Sequence, residues 1–543
     1  MTFEYCVADS ETDPFEHGQE IKPFCWCVHN KDFTKTFWGE NATRDFIKWA
    51  RDYRGKIYAH NGGRFDWIFS EIIDELDGEM MIINGRIARA KMGRAELRDS
   101  FLCLPVGLAG FTKGEINYEK MKPRLREKYK REILEYLISD CVNLYKPLTA
   151  FFEMHGQKLT QASAALMTWE KMGGNKRRYG PNHDMKFRPY YFGGRTETFK
   201  HCAGKRGKWQ VVDINSAYPY AMTKQHPLGT RYYELKGDEA LKKLYECPAS
   251  FWTVDATSRG ALPIRDEKGS VRFPHGRQEF KCTGWEIIAG LKTETITLHS
   301  WSALFPEQTE TMKPYVDRFI KVKEEATEEK KAAEARGDEA SATSWDTLRT
   351  LAKLILNSLY GKYGANPEDY KEFYKGKKPG EDWLEYQIVG EGENLGMIWQ
   401  RPATNAEYFD VALAASITGH ARAQLWEAIC GADDVAYCDT DSMICADVGA
   451  IKLGPELGAW DLEAVGDSLF IAGKKLYCLR TPKALYDKNP KCGWKMAHKG
   501  VKVGVNVIKR VANGSEVVVK RDAPAMKLDG TQTFIARTIK RTY

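Results

Sequence analysis

Acidic residues stand in two separate groups whose spacing could hold metal ions. In the first group, Asp9 and Glu11 follow the strand-like apolar run from Phe3 to Ala8. Residues i and i+2 of a strand project from the same face, so both carboxylates can point into one site. Asp66, in HNGGRFD, and Asp140, in YLISD, could complete it. Carboxylate oxygens suit two Mg²⁺ or Mn²⁺ ions, which could assist phosphodiester cleavage. Any one of these acids alone would be an ordinary surface charge or helix cap.

The second acidic group lies in the C-terminal half of the chain. Asp213 follows the apolar pair Val211–Val212, and Asp439 and Asp441 are separated by one residue in YCDTDS. A tight turn between two strands would present the latter two acids at its tip. Acids beside a buried strand repel one another unless a cation neutralises them, which favours a metal site. For YCDTDS alone, the alternative interpretation is an Asp-rich turn without a metal. Considering Asp213 together with YCDTDS weakens this alternative.

One helical segment could supply the complementary positive charge. Arg349, Lys353 and Asn357 are spaced i, i+4, i+8, and Tyr360 lies near the end of the same segment. Such cations on one helix face could hold a triphosphate, and the aromatic ring could stack on a base. An ordinary solvated helix surface is the alternative.

The elements that must position these residues follow from the hydrophobic pattern. Strands and helices alternate over the first ~150 residues, as in an α/β domain. The spacing predicts a helix over 125–145, with Pro147 as its stop and with Tyr136 and Asp140 on one face. The run from Lys313 to Tyr363 predicts a helical hairpin that breaks at Gly337–Asp338. Residues 366–400 have the composition of a β insertion.

Length and composition bound the class of protein. The 543 residues contain 43% hydrophobic and 29% charged residues, typical of a globular chain of several domains. No apolar run approaches the ~18 residues of a membrane span, and the N-terminal segment is acidic where a signal peptide would be basic. We therefore expect no membrane association and a cytoplasmic location. The thirteen cysteines include no CxxC pair, which disfavours a zinc site or disulfide framework.

Positive charge is concentrated at the C-terminus. The net charge is +7, and residues 483–543 hold fourteen basic and four acidic residues. A cationic module on a nearly neutral body suggests a polyanion partner such as nucleic acid, with a solvated basic surface as the alternative.

Six motifs in order resemble a known family. DINSAYP, KLILNSLYG and YCDTDS resemble motifs A, B and C of family B DNA polymerases. DSET, HNGGRFD and YLISD resemble the three motifs of their 3′–5′ proofreading exonuclease. The chain length and the segment YFGGR are most similar to the protein-primed subgroup found in tectivirus-type bacteriophages.

The resemblance implies a multidomain α/β and α+β fold, with a ribonuclease-H-like exonuclease followed by a right-hand palm, fingers and thumb. Two insertions would serve the terminal protein (261–325) and strand displacement or processivity (366–402). The remaining boundaries implied are 1–155 for the exonuclease domain, 156–190 for a connector, 191–260 and 403–485 for the palm, 326–365 for the fingers, and 486–543 for the thumb.

The resemblance also implies roles at the polymerase site. Asp213 and Asp441 would be the principal ligands of two Mg²⁺ or Mn²⁺ ions, with Asp439 adjacent. Tyr218 would lie under the deoxyribose and exclude a 2′-hydroxyl. The remaining residues would contact nucleotide phosphates (Arg349, Lys353), the nascent base pair (Asn357, Tyr360), the primer (Lys475, Tyr477) and the template (Tyr191, Gly193, Gly194).

At the exonuclease site, the resemblance implies metal binding by the first acidic group. Asp9, Glu11, Asp66 and Asp140 would hold two ions, and Tyr136 would orient the attacking water. The residues that would grip the single-stranded 3′ end are Thr12, His60, Asn61, Phe65, Ser100, Phe101, Lys113 and Tyr118.

The sequence therefore predicts a monomeric DNA-directed DNA polymerase with proofreading, which uses primer–template DNA, dNTPs and a terminal protein primer, in the host cytoplasm if the gene is viral. A metal-dependent 3′–5′ exonuclease with a degenerate polymerase half is the alternative. The arguments against it are the intact Asp213, Asp439, Asp441 and Lys353. An RNA-synthesising enzyme is disfavoured by the bulky Tyr218. A binding module alone would explain the basic tail but not six ordered motifs.

Overall fold

The computed structural model describes residues 4–16, 21–107, 115–389, 396–490, 493–520, 525–528 and 531–542. The N-terminal part is an α/β unit, as predicted. Its elements are β1 (Tyr5–Thr12), β2 (Pro23–His29), β3 (Thr34–Trp38), α1 (Ala42–Asp52), β4 (Lys56–Ala59), α2 (Ser70–Asp74), β5 (Asp77–Ile83), β6 (Arg86–Met92) and β7 (Ala95–Asp99). The predicted first strand runs on to Thr12, so Asp9 and Glu11 lie inside β1 and not beyond its end.

The N-terminal sheet is covered by helices on both faces. Strands β1, β4 and β7 are parallel neighbours. Adjacent side chains of β2 point to opposite faces, so Trp26 stacks on Phe46 of α1 while Cys27 packs in the core on the other side, together with Cys141. The sheet is therefore buried on both sides around the strand that carries Asp9.

Four helices follow: α3 (Pro123–Arg126), α4 (Lys130–His155), α5 (Gln161–Lys171) and α6 (Pro181–Phe187). The prediction that a helix stops at Pro147 is wrong, because Pro147 lies inside α4. Leu144, Leu148 and Phe151 around it are buried in the core, and this packing outweighs the helix-breaking tendency of one proline. The expected connector, 156–190, contains α5 and α6.

The central part of the chain forms a four-stranded sheet, a small hairpin and helices. Its elements are β8 (Thr196–Thr198), β9 (Ala203–Ile214), α7 (Ala217–Met222), β10 (Gln225–Lys236), α8 (Gly237–Leu244), β11 (Phe251–Arg259), β12 (Ile264–Arg265), β13 (Val271–Arg272), β14 (His275–Thr283), α9 (Gly284–Lys292) and β15 (Ile296–Thr311). The four-stranded sheet has the order β10-β15-β11-β14. The boundary implied at residue 260 therefore falls inside one continuous sheet.

A helical hairpin follows this sheet, as predicted. It consists of α10 (Lys313–Ala335) and α11 (Glu339–Tyr363), and Gly337 in the connecting turn has a φ of +72°. Glycine adopts this left-handed conformation at little cost, which explains the break. The implied start of the fingers at residue 326 lies within α10.

The described parts of the candidate insertion 366–402 form strands, as predicted, namely β16 (Lys371–Lys375), β17 (Leu384–Val389) and β18 (Gly396–Pro402). These strands extend the N-terminal sheet to ten strands in the order β17-β18-β16-β5-β6-β7-β4-β1-β2-β3. Phe373 of β16 lies opposite Met80 of β5, and both are buried. The insertion is thereby fixed to the domain that carries the first acidic group.

The C-terminal part surrounds a second large sheet. Its elements are α12 (Val411–Gly431), β19 (Tyr437–Asp439), β20 (Ser442–Cys445), β21 (Trp460–Gly473), β22 (Leu476–Arg480), β23 (Trp494–His498), α13 (Val505–Ala512), β24 (Val517–Lys520), β25 (Ala525–Met526), β26 (Gln532–Thr533) and β27 (Ala536–Ile539). The seven-stranded order is β23-β22-β21-β9-β20-β19-β8. Strand β23 therefore belongs to this sheet, although it follows the implied thumb boundary at 486. Among the described helices, none is long and apolar enough to cross a bilayer.

Candidate active sites

The parallel register of the N-terminal sheet brings the first group of predicted residues to one edge. Ala8 of β1 pairs with Ala59 of β4, which pairs with Asp99 of β7. The next residues along these strands are Asp9, His60 and Ser100. They therefore lie side by side, where the carboxyl ends of parallel strands form a crevice.

Three carboxylates meet in this crevice. Oxygens of Asp9, Glu11 and Asp140 all lie within 4.8 Å of one another. Burial raises the pKa of Asp9 well above its usual value, and the nearby Asp66, Glu11 and Asp140 raise it further. Crowded carboxylates of this kind are the donor set expected for a divalent cation, since a cation removes their repulsion.

The fourth predicted acid, Asp66, does not join this group of three. Asp66 is buried and accepts a 2.6 Å hydrogen bond from Ser10 Oγ. Burial raises its pKa to about 7, against the effect of that hydrogen bond. Ser10 lies between Asp9 and Glu11 in β1 and so projects to the other face of the strand. The sequence contains no signal for this contact beyond the alternation itself.

The predicted single-strand-binding residues surround the same crevice. His60 Nδ1 lies 3.2 Å from Ser100 Oγ, and its Nε2 lies 2.9 Å from Val106 O. The His60 ring is 5.6 Å from the Phe101 ring. Tyr118 Oη lies 3.3 Å from Tyr136 Oη. His60 is therefore in contact with Ser100 and Phe101, and Tyr118 is in contact with Tyr136.

The remaining residues of this set have separate surroundings. Asn61 adopts a left-handed conformation with a φ of +64°, which turns the chain after β4. The Phe65 ring packs 5.2 Å from Phe69, and Thr12 is buried at the end of β1. Lys113 lies outside the described residues.

Strand register also explains the second acidic group. Asp213 of β9 lies opposite Ser442 of β20 on one side and opposite Asp461 of β21 on the other. The turn between β19 and β20 contains Thr440 and Asp441, and Ile214 N donates a 2.7 Å hydrogen bond to Asp441 O. The predicted tight turn is therefore present, and it sets Asp441 beside Asp213.

The electrostatic environments of these acids differ. Burial raises the pKa of Asp213 to about 7, with contributions from Asp441 and Glu463. Burial raises the pKa of Asp441 to about 6, and Asp439 adds to this effect. Asp439 itself accepts a 2.6 Å hydrogen bond from Lys475 Nζ.

Glu463 is a further acid that sequence reasoning missed. It lies two residues beyond Asp461 in β21 and forms an ion pair with Lys495 of β23. Both residues influence the pKa of Asp213, Glu463 upward and Lys495 downward. The only signal for Glu463 was the alternating pattern of its strand, which does not indicate a partner. Tyr477 is buried in β22, close enough to Glu463 for its pKa to be raised by that acid as well as by burial.

One cation of α11 lies near this second site. Lys353 lowers the pKa of Asp213, which locates its ammonium group near that carboxylate. Arg349 is held by Asp346, whose Oδ1 accepts a 2.8 Å hydrogen bond from Arg349 Nε and lies 3.1 Å from Lys330 Nζ of α10. Asp346 thus orients Arg349 and ties the two helices of the hairpin together through Lys330.

A cation near Lys353 and Arg349 was also missed. Burial lowers the pKa of Lys323 on α10, and the charges of Lys353 and Arg349 lower it further. Its position on the opposite helix explains why no i, i+4 spacing revealed it.

The predicted aromatic residues are stacked on each other. The rings of Tyr218 and Tyr360 are 4.1 Å apart with an interplanar angle of 22°. Asn357 Nδ2 donates a 2.7 Å hydrogen bond to Lys353 O within its own helix. The two rings form a flat wall next to the carboxylates.

The segment YFGGR packs directly on the acidic turn. A Cβ atom on Gly194 would lie 2.7 Å from Thr440 Oγ1, so only glycine fits there, whereas Gly193 faces open space. Arg265 Nη2 donates a 2.6 Å hydrogen bond to Tyr191 O, and Arg422 donates a 2.9 Å bond to Gly193 O. The carbonyl groups of this segment are therefore held by arginines.

Comparison with known proteins agrees with this geometry. The family model for DNA polymerase type B, organellar and viral, matches residues 109–398. The DNA-directed DNA polymerase of Enterobacteria phage PRD1 is 38% identical, over 99% of this chain and 98% of the relative. The chain belongs to the type B DNA polymerases. It is a DNA-directed DNA polymerase.

More distant relatives of this polymerase agree in fold. The DNA polymerase of Bacillus phage phi29 is 24% identical over 74% of this chain and 73% of the relative. The solved structure of that phi29 enzyme, complexed with primer–template DNA and incoming nucleotide substrates, covers 100% of both chains with a TM-score of 0.71 at 18% identity. The expected fold, an exonuclease domain followed by palm, fingers and thumb, is thereby confirmed.

Proposed function

We propose that this polymerase carries two chemical sites, one that extends a DNA primer and one that removes nucleotides from its 3′ end. The supporting observation is the presence of two carboxylate clusters, each formed at its own sheet. Asp213 and Asp441 lie on the C-terminal sheet, whereas Asp9, Glu11 and Asp140 surround the edge of the N-terminal sheet.

At the polymerase site, the chain's own residues would bind and orient the nucleotide. Arg349, Lys353 and Lys323 form a set of cations that suits a triphosphate. Tyr218 would pack against the deoxyribose and exclude a 2′-hydroxyl. Tyr360, stacked on Tyr218, would border the nascent base pair together with Asn357.

Both clusters fit divalent cations. Their donors are carboxylate oxygens, the ligands that Mg²⁺ and Mn²⁺ prefer. Their pKa values are raised by burial and, in addition, by mutual repulsion, which a cation would remove. Asp213 and Asp441, with Asp439 beside them, would hold two ions for extension, and the first acidic group two for cleavage. Bound metal would activate the attacking hydroxyl or water and stabilise charge on the leaving oxygen.

At the exonuclease site, the aromatic and polar lining would hold a frayed single strand. Phe65 and Phe101 offer rings for base stacking, and His60 with Ser100 offers polar contacts. Asp66, which accepts a hydrogen bond from Ser10, would support the cluster from beside it. Tyr136 would orient the attacking water. Shortening of a 5′-labelled single strand tests this role: Asp9→Ala/Glu11→Ala should abolish it, and unchanged shortening would contradict it.

Primer–template DNA and dNTPs are the proposed substrates, as in the phi29 complex. The YFGGR segment would contact the template, Lys475 and Tyr477 the primer, and the basic C-terminal residues the duplex phosphates. Phosphate contacts of this kind bind DNA without reading its sequence, which suits a replicative enzyme. We expect the protein to act as a monomer.

Initiation on a terminal protein is proposed from resemblance to the protein-primed subgroup. The segment 261–325 would receive that protein, and 366–402, fixed to the exonuclease sheet, would assist strand displacement. Transfer of a labelled deoxynucleotide onto the cognate protein tests the proposal. Absence of transfer by an enzyme that extends DNA primers would contradict it.

A further inference from the structure

The loop between β20 and β21 is bonded to the segment DINSAYP. Asn215, the third residue of this segment, makes three hydrogen bonds to the loop. Its N–H donates to Ala459 O (2.9 Å), its carbonyl oxygen accepts from Gly458 N (2.9 Å), and its Nδ2 donates to Gly454 O (2.9 Å). One loop therefore fixes both the backbone and the side chain of Asn215.

The backbone that follows Asn215 depends on such support. Ser216 has a φ of +54°, in the left-handed region that favours glycine. A residue with a side chain keeps this conformation only where the surrounding contacts fix it. The turn at Ser216 leads from β9, which carries Asp213, into α7, which carries Tyr218. The hold on Asn215 therefore determines how α7 is set against the end of β9.

Gln424 of α12 holds the same loop from another side. Its Nε2 donates a 2.8 Å hydrogen bond to Gly458 O, while Gly458 N donates to Asn215 O. Gly458 thus connects the glutamine to Asn215 through a single residue. The loop also lies directly on α7, because a Cβ atom at Gly458 would come within 2.3 Å of the Tyr220 ring. Since α12 is buried along most of its length, it offers the loop a firm support.

We infer that Gln424 is a positioning residue for primer extension. Through the loop, it keeps the carboxylate of Asp213 and the ring of Tyr218 in a fixed relation to each other. The inference rests on the proposed function, in which Asp213 binds metal and Tyr218 excludes a 2′-hydroxyl. A loosened loop should therefore slow the addition of dNTPs and weaken the discrimination against ribonucleotides. The exonuclease site lies on the N-terminal sheet and should not respond.

A purely structural role for Gln424 would give a different pattern. Loss of stability lowers the fraction of enzyme that is folded, so dNTP addition, ribonucleotide addition and exonuclease activity would all fall by the same factor. A positioning role changes the ratio of dNTP addition to ribonucleotide addition. That ratio does not depend on how much of the enzyme is folded.

The test compares Gln424→Met with the parent in the full chain. Gln424 Oε1 has no hydrogen-bond partner among the described residues, so the methionine removes only the bond to Gly458. The ratio kcat/KM is measured for one dNTP and for the matching ribonucleotide, with Asp9→Ala/Glu11→Ala in every protein so that the primer is not degraded.

The loss of this hydrogen bond should lower kcat/KM for the dNTP about two- to tenfold. The ribonucleotide should lose less, because a displaced Tyr218 opposes its 2′-hydroxyl less. The discrimination between the two substrates should therefore fall. Shortening of a single strand, measured without the Asp9→Ala/Glu11→Ala changes, should be the same with and without Gln424→Met.

Two further variants of α12 supply the rescue and the control. Gln424 borders a cavity of about 770 Å³, so the longer side chain of Gln424→Lys has room to donate to Gly458 O. It should restore the discrimination to within about twofold of the parent. Glu427→Gln is the matched control, because Glu427 borders the same cavity one turn later but pairs with Lys292. It should leave the discrimination unchanged.

A double variant tests the route through Asn215. Asn215→Ala removes the hydrogen bond from Nδ2 to Gly454 O. Because both contacts act through one loop, Asn215→Ala/Gln424→Met should lose less kcat/KM than the product of the two single losses. Losses that multiply would show that the two residues act independently, and would overturn the inference.

An unchanged discrimination in Gln424→Met would also overturn the inference, even if the variant unfolded at a lower temperature. So would a folded Gln424→Lys protein that loses as much as Gln424→Met, or a Glu427→Gln protein with the same loss. Tyr218→Val is measured in parallel. If it fails to admit ribonucleotides, the proposed function of Tyr218 is wrong. If it admits them while Gln424→Met keeps its discrimination, the role of Gln424 alone is wrong.

Discussion

The ammonium group of Lys475 lies 2.6 Å from Oδ2 of Asp439, in the same turn that carries Asp441. Thr196 Oγ1 donates a second hydrogen bond, of 2.9 Å, to Asp439 Oδ1. Among the described residues, neither Asp213 nor Asp441 forms an ion pair, and both have raised pKa values. Asp439 is therefore neutralised by the protein, and the other two acids are left for a cation.

This difference predicts unequal effects of substitution within the turn. Asp441→Asn should lower the rate of primer extension about 100-fold or more, as loss of a main electrostatic group does. Asp439→Asn should cost at least about tenfold less, because its charge is already balanced by Lys475. Single-turnover extension at saturating dNTP measures both rates. Equal losses in the two variants would contradict the distinction.

The bridge between Asp346 and Arg349 predicts an effect on nucleotide binding. Asp346 Oδ1 lies 2.8 Å from Arg349 Nη2 and 3.1 Å from Lys330 Nζ, so it orients the arginine and joins α10 to α11. Asp346→Asn should raise the KM for dNTP about two- to fivefold, the effect of a partly exposed ion pair worth up to about 1 kcal/mol. The maximal extension rate should change less than KM.

The hairpin also offers a matched pair of lysines for this prediction. Lys330→Met should reproduce the rise in KM because it removes the other side of the bridge. Lys331→Met changes a neighbouring exposed lysine and should leave KM unchanged. Exonuclease activity on single-stranded DNA should be the same in all three proteins. A rise in KM for Lys331→Met equal to that for Lys330→Met would argue for a general charge effect.

The contact between Gly194 and Thr440 predicts a steric effect on the acidic turn. A Cβ atom at Gly194 would approach Thr440 Oγ1 to 2.7 Å and Cγ2 to 2.8 Å, so Gly194→Ala must displace the turn. Overpacking of this kind costs about 1–3 kcal/mol. Extension should fall, and hydrogen exchange at the Thr440 amide, which donates to Arg195 O, should become faster.

Gly193 provides the control for this steric prediction. A Cβ atom at Gly193 meets no atom within 4 Å, so Gly193→Ala should leave thermal unfolding and Thr440 exchange unchanged. If the YFGGR segment contacts the template, Gly193→Ala should change only the affinity for DNA. Faster Thr440 exchange in Gly193→Ala would show that the two glycines are not distinguished by packing.

The sequence predicted the local parts of both sites. The acids at i and i+2 lie close together because each pair belongs to one strand or one turn, β1 or YCDTDS. The helix breaks at Gly337–Asp338 because glycine adopts left-handed backbone conformations at little cost. These features depend on residues close together in the chain. The residue pairs that were predicted correctly are therefore those in which spacing along the chain alone determines where the side chains point.

Contacts between distant segments were not predictable in this way. Glu463 reaches Asp213 because β21 pairs with β9, some 250 residues earlier, and no local period encodes that pairing. The insertion β16–β18 joins the N-terminal sheet through the same kind of long-range pairing. At Pro147 the local signal was misleading. A proline normally ends a helix, but α4 continues through Pro147 because its apolar face is buried.

The raised pKa values of the acids predict linked effects of pH and Mg²⁺ on stability. The pKa values of Asp66 and Asp213 are raised to about 7, against about 4 in the unfolded chain. Between these values the folded state binds more protons, so without metal the free energy of unfolding should fall as pH rises from about 4 to 7. Bound Mg²⁺ should offset this loss.

Thermal unfolding with and without Mg²⁺ measures this linkage. Mg²⁺ should raise Tm more at pH 7.5 than at pH 5.5. The difference between the two rises should be a few degrees, because 1 kcal/mol of stability shifts Tm by about 2–4 °C. A double variant, Asp9→Asn/Asp213→Asn, should show a smaller rise at pH 7.5. A Mg²⁺ effect that is equal at both pH values would contradict the assignment of the carboxylates as metal ligands.

If one chain holds two independent chemical sites, substitutions should separate its two activities in a single gel experiment. A 5′-labelled primer–template is incubated with Mg²⁺, with and without the four dNTPs, using the wild type, Asp441→Ala and Asp9→Ala/Glu11→Ala. The wild type should extend the primer with dNTPs and shorten it without them. Asp441→Ala should only shorten it, and Asp9→Ala/Glu11→Ala should only extend it. Shortening by the wild type with no extension, unchanged in Asp441→Ala, would contradict the account and leave a nuclease with a degenerate polymerase half.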